Sequence, residues 1–189
     1  WYLGCVENGL DYPGLPGTAG IGTHGGSEDH TAILACRAGF VSHYGFVPVR
    51  HVEDVAMPAG WTFLVASSGI QADKAGSVKD RYNRASLATR ALLALWNARA
   101  PEPAHSLRAA IVGDGRERLH AWTEGAALPG FTGADLRRRL EHFANEDARV
   151  QRMAEAFRSG DTAAAGEIAF ESQRDAIELL GNQIPETCA

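Results

Sequence analysis

The sequence predicts an α+β protein in layers, with mixed strands first and several helices after them. Three observations carry this. Glycine is concentrated at the start, ten of the 21 preceding Phe46, which gives a loop-rich opening rather than a regular element. Two runs rich in β-branched and aromatic residues follow, over 40–49 and 61–66. From Ser77 onward apolar residues recur at helical spacing. This order favours an α+β arrangement over a regular alternation of strand and helix.

Each element has its own signal. Asn8-Gly9, Pro13-Gly14, Pro16-Gly17 and Gly25-Gly26 make residues 1–28 a loop of turns. Ser27 is placed to cap a helix whose first turn carries Glu28 and Asp29, the charge sign that a helix N-terminus favours. Ala32, Ile33 and Cys36 supply its apolar side, and it ends by Gly39. Residues 40–49 and 61–66 read as strands, with a third short one over 51–55. Residues 77–97 contain neither proline nor glycine, and Val78, Tyr82, Ala85, Leu92 and Trp96 fall mostly on one helical face. Asp80, Arg81, Asn83 and Arg84 read as the solvated face of that helix. A second long helix follows Leu136, Leu140, Phe143, Val150, Met153 and Phe157, at spacings of 4, 3, 7, 3 and 4, and a third covers 163–180. The composition shift over 66–77 is the candidate domain junction.

A chain of 189 residues makes one full domain or two small ones, at roughly 100 to 200 residues per domain. The net charge of -5 gives no broad attraction to nucleic acid or anionic lipid, and Arg137-Arg138-Arg139 is the one basic run. No stretch is apolar for long enough to make a spanning helix. Cys5, Cys36 and Cys188 are odd in number and lack C-x-x-C spacing, which argues against a disulfide framework or a zinc site and makes a cytoplasmic location the expectation. Trp1 at the start and an unremarkable end at Ala189 lead us to expect a piece of something longer.

The densest polar cluster is Gly22-Thr23-His24-Gly25-Gly26-Ser27-Glu28-Asp29-His30. Gly20-Ile21-Gly22-Thr23-His24-Gly25 fits G-x-G-x-x-G, but Tyr12-Pro13-Gly14-Leu15-Pro16 before it is not the strand a dinucleotide fold needs. His24-Gly25-Gly26 is similar to an esterase oxyanion turn, yet no G-x-S-x-G elbow accompanies it. His24, Glu28, Asp29 and His30 offer metal-ligand atoms, although histidines six residues apart do not share a helix face. Ser27, Glu28 and Asp29 also serve as a plain helix cap. Consecutive glycines before a carboxylate, however, let a ligand approach backbone and side chain together. An aspartate there can accept a proton from a bound hydroxyl, as phosphoryl transfer to an alcohol requires. Residues 67–77, between a strand and a long helix and rich in serine, form a second candidate ligand wall.

These residues carry a resemblance. The cluster ending in Glu28-Asp29-His30 resembles the galactokinase element in which a Gly-Thr pair is followed by a glycine, two residues, an Asp and a Gln at the opening of a helix. Ser68-Gly69-Ile70, Ala75-Gly76-Ser77 and Tyr82-Asn83-Arg84 resemble that family's Ser-Asn-Val and Ala-Gly-Ser-Glu-Tyr-Asn-x-Arg-Arg segment. Ser172 and Pro185-Glu186, thirteen residues apart, resemble its Ser-His-x-Ser-Leu to Cys-Pro-Glu-Leu-Asp stretch. The likeness spans residues 17–189, weakly between 100 and 163, and is to the middle of a galactokinase-like GHMP sugar kinase.

The resemblance implies a two-layer GHMP-kinase-like fold, incomplete at both ends. Residues 1–66 would be the last part of its N-terminal domain and 67–189 the first part of its C-terminal domain. It implies an ATP-dependent sugar 1-kinase with Mg²⁺, acting as a monomer on a small sugar, with neither nucleic acid nor membrane as partner. Asp29 takes the place of the catalytic aspartate, Gly26 that of a backbone sugar contact, and Tyr82 that of a sugar-contacting tyrosine, three residues (about one helical turn) further on. The family's phosphate loop would lie before Trp1 and its later glycine-rich element after Ala189. His30 stands in place of Gln and Gln71-Ala72 in place of Arg-His, so the acceptor is galactose or a related sugar such as arabinose or galacturonate. A non-catalytic sugar or nucleotide sensor on the same scaffold, and a metal hydrolase using His24, Asp29 and His30, are the competing functions.

Overall fold

A computed structural model describes residues 2–3, 5, 11–16, 23–26, 28–46, 49–70, 77–126 and 128–188, with the side chains of 77, 78, 81 and 82 outside the description. The architecture is mixed α+β, a two-stranded antiparallel sheet with six helices among the described residues. In chain order these are α1 (Glu28–Ala35), β1 (Phe40–Gly45), β2 (Arg50–Ala56), α2 (Ser77–Arg99), α3 (Leu107–Ala110), α4 (Gly115–Thr123), α5 (Gly133–Ser159) and α6 (Thr162–Asp175). A π-helical turn, Ala176–Leu180, extends α6, and Pro185–Thr187 forms a 3₁₀ turn. Among the described residues no helix is long and apolar enough to cross a membrane.

The chain divides into two compact units, Trp1–Asn83 with Met153–Ala165, and Arg84–Arg152 with Gly166–Ala189. In the first, the residues expected as one strand and a short third one instead form a hairpin. Phe40 pairs with Ala56 and Gly45 with Arg50, and a bulge between His43 and Tyr44 shifts the register. Cross-strand polar contacts bind it: Ser42 Oγ donates to Asp54 Oδ1 at 2.6 Å, and Arg37 Nη2 lies 2.9 Å from Asp54 Oδ2. Glu53 on β2 accepts from Arg158 of α5 at 2.8 Å.

The strand expected over 61–66 does not form. Residues 61–68 have no regular structure and no ladder, because a β-prone run becomes a strand only where a neighbour takes up its N–H and C=O groups. Aromatic packing holds part of the segment instead, with Trp61 5.0 Å and Phe63 6.3 Å from the Phe157 ring centroid. Leu64 and Val65 are left 90% and 98% exposed.

The second unit is helical and has the larger core. Ala88, Leu92 and Leu95 of α2, Leu107 and Ala110 of α3, Leu119 of α4, and Leu136 and Leu140 of α5 form one buried cluster, with Trp96, Trp122 and Phe143 against it. At roughly 1.5–3 kcal/mol for each large apolar side chain fully buried, this cluster is the main source of stability in the unit. Ser106 caps α3, its Oγ accepting the Ala109 N–H at 3.2 Å. Thr132 and Asp135 bond reciprocally at the start of α5. Between α5 and α6, in the part of the chain that belongs to the first unit, Gly160 takes φ 69°, a left-handed turn that lets the Asp161 N–H reach the Ala156 carbonyl at 2.9 Å. Asp161 then caps α6 by accepting the Ala164 N–H at 2.9 Å.

Candidate functional site

The glycine loop and the first turn of α1 lie in the first unit, as does Asn83 near the start of α2. Thr23, at the start of the described part of the loop, is buried. The His24 backbone N–H donates to Asn83 Oδ1 at 2.7 Å, across 59 residues of sequence. Asn83 is itself buried, which corrects its placement on the solvated face of α2, whereas Asp80 and Arg84 are exposed as expected. The bond joins the two segments that the sequence singles out separately, the glycine cluster and Tyr82-Asn83-Arg84. Asn83 is the residue that sequence reasoning missed. Its signal was its place directly after Tyr82, in the motif that carried the resemblance.

Asp29 lies in the first turn of α1, where peptide dipoles favour an anionic side chain. Its carboxylate is 72% exposed, accepts the His30 N–H at 3.0 Å and lies 3.3 Å from His30 Nδ1. The group is open to an incoming hydroxyl. Gly26 is exposed, and a Cβ there would meet the Phe46 ring at 3.5 Å, ordinary contact distance. Its value to a ligand is therefore an uncovered backbone rather than relief of a clash. Tyr82 lies in α2, but its side chain is outside the description, as are Ser27 and residues 71–76.

The hairpin brings together Ser42, His51 and Asp54, but not in the order of a catalytic triad. Ser42 Oγ donates to Asp54, and His51 Nε2 lies 3.0 Å from the same carboxylate oxygen. A nucleophilic serine must instead bond to the imidazole that takes its proton. The Ser42 hydroxyl first, and His51 second, hold the Asp54 carboxyl below the usual carboxylate range. The cluster ties the two strands together. Among the described residues no group of three or more His, Cys, Asp or Glu side chains is arranged to hold a metal ion. No protein-family model matches the chain, and no curated protein or solved structure was found to match it.

Proposed function

We propose that this chain belongs to an ATP-dependent sugar 1-kinase of galactokinase type with a GHMP-like fold, in which Asp29 orients or deprotonates the anomeric hydroxyl. The observation that carries the reading is the His24–Asn83 hydrogen bond, because it ties the glycine loop to the helix turn that bears Tyr82, two segments of one family pattern. Around that junction Gly26 offers backbone to the sugar and Asp29 offers a carboxylate. Proton acceptance by a positioned carboxylate contributes about 10²- to 10⁴-fold, so most of the acceleration comes from holding the hydroxyl in line and from stabilising charge. ATP would supply the phosphoryl group, and Mg²⁺ bound with it would neutralise its charge.

The test is a coupled assay of the intact protein that contains this chain, with Mg-ATP and a panel of galactose, arabinose and galacturonate. Formation of a sugar 1-phosphate supports the reading. Sugar binding without turnover favours the second one, a non-catalytic sensor on the same scaffold. The observation on that side is the 72% exposure of Asp29, which leaves the carboxylate in water rather than in the dry surroundings that strengthen electrostatic catalysis.

A further inference from the structure

We propose that Asn83 is a positioning residue of the sugar site, acting through the glycine loop rather than on the sugar; this rests on the reading given above. Asn83 is buried, and its side-chain oxygen accepts the backbone N–H of His24 at 2.7 Å, from a segment 59 residues away in sequence. The two residues that follow His24 are Gly25 and Gly26, which have no side chains to anchor them and the widest backbone freedom of any residue. The loop is therefore fixed on one side by the Asn83 bond, with buried Thr23 just before it. On the other side it is fixed by α1, whose first turn carries Asp29. Without the acceptor, the Gly26 backbone and the Asp29 carboxylate lose their common reference to the turn of α2 that carries Tyr82, and the His24 N–H is left without its partner.

Two substitutions separate positioning from simple support of the fold. Asn83→Leu keeps the branched skeleton, though with more bulk, and removes the acceptor, whereas Asn83→Asp keeps an acceptor oxygen in the same place. In the intact protein, Asn83→Leu is expected to raise the KM for the sugar about 2- to 13-fold, the range for loss of one such bond, with the KM for ATP within about twofold of wild type. Asn83→Asp is expected to restore most of the sugar affinity. Amide hydrogen exchange supplies a readout independent of activity: His24 loses protection in Asn83→Leu while Leu92 and Leu95 keep theirs. Should Asn83→Leu fail to fold, His24→Pro removes the donor instead and is expected to give the same KM split. An unchanged sugar KM with unchanged His24 protection overturns the proposal, as does an Asn83→Asp variant as impaired as Asn83→Leu. If the wild-type protein neither binds nor phosphorylates any sugar of the panel, the kinase reading fails and this role falls with it. That outcome is distinct from a working kinase indifferent to Asn83.

Discussion

Arg149 and Asp175 pair in the interior of the second unit, their side chains only 8% and 11% exposed, with Nη2 donating to Oδ2. Glu146 accepts from the same guanidinium at 2.6 Å, and Asn145 Nδ2 donates to Asp175 at 2.8 Å. The network links α5 to α6. Asp175→Ala leaves Asn145 without its acceptor and Arg149 with Glu146 as its remaining hydrogen-bonded carboxylate, so it is expected to cost about 1–3 kcal/mol, whereas Arg149→Met combined with Asp175→Leu, which also strips Glu146 of its partner, is expected to cost no less. Urea unfolding of the three proteins checks this. Burial raises the Asp175 carboxyl, but hydrogen bonds from Arg149 and Asn145 outweigh it and hold the group below its usual range. The contribution is therefore present above the unfolded value of about 3.9 and is lost as pH falls through the lower folded value. Asp175→Asn should lack that part of the acid dependence.

His142 titrates in a higher window. It is buried, and Arg139 Nη1 lies 2.8 Å from its Nδ1. A guanidinium only donates, so Nδ1 accepts and the ring proton sits on Nε2. Burial first, and the Arg139 charge second, pull the imidazole down, while Glu146 and Asp175 oppose them and Arg149 adds to them. The unfolded chain therefore takes up a proton near pH 6.5 that the folded protein refuses, and stability falls as pH drops below about 6.5. Melting temperatures between pH 7.5 and pH 5 should fall less in His142→Gln than in wild type over roughly this interval.

Two helix-starting glycines oppose helix propensity. A Cβ at Gly115 would overlap the Ala110 carbonyl oxygen, and one at Gly133 the Thr123 carbonyl oxygen. Alanine is the better helix former by about 0.8–1 kcal/mol, yet backbone cannot retreat as a flexible side chain does. Gly115→Ala and Gly133→Ala are each expected to destabilise by about 1–3 kcal/mol. A rise in melting temperature for either would contradict the packing described here.

The long helices were legible because periodicity needs length to show. The spacing predicts a helix over 77–97, and α2 runs Ser77–Arg99; the stripe from Leu136 to Phe157 lies inside α5, Gly133–Ser159. α3 has four residues and α4 nine, too few turns to display a face, and their positions follow from the capping of Ser106 and the burial of Leu107 and Leu119. The run over 61–66 misled because strand propensity reports side-chain shape and not the presence of a pairing neighbour. In the candidate site, the glycine loop and Asp29 were visible as a pattern. Asn83 was not, because a polar residue at a helical position reads as solvated until a segment 59 residues away in sequence covers it.

The exposed part of 61–68 gives a simple expectation. Leu64 and Val65 are 90% and 98% exposed, so Leu64→Lys with Val65→Lys should change stability by less than about 0.5 kcal/mol per site. Static light scattering of the double variant should show slower aggregation on warming, because an apolar extended run is the type of segment that self-associates. Trp61→Ala, which removes the ring packed on Phe157, should destabilise markedly in the same melting experiment.

The proposed action of Asp29 on a bound sugar hydroxyl is tested most directly by comparing turnover and sugar binding of Asp29→Asn with wild type, in the full-length protein. The amide keeps the size of the carboxylate and cannot accept the proton. Turnover is expected to fall at least about a hundredfold with sugar affinity within about threefold of wild type. Near-normal turnover in Asp29→Asn would contradict the assignment of Asp29 as the base.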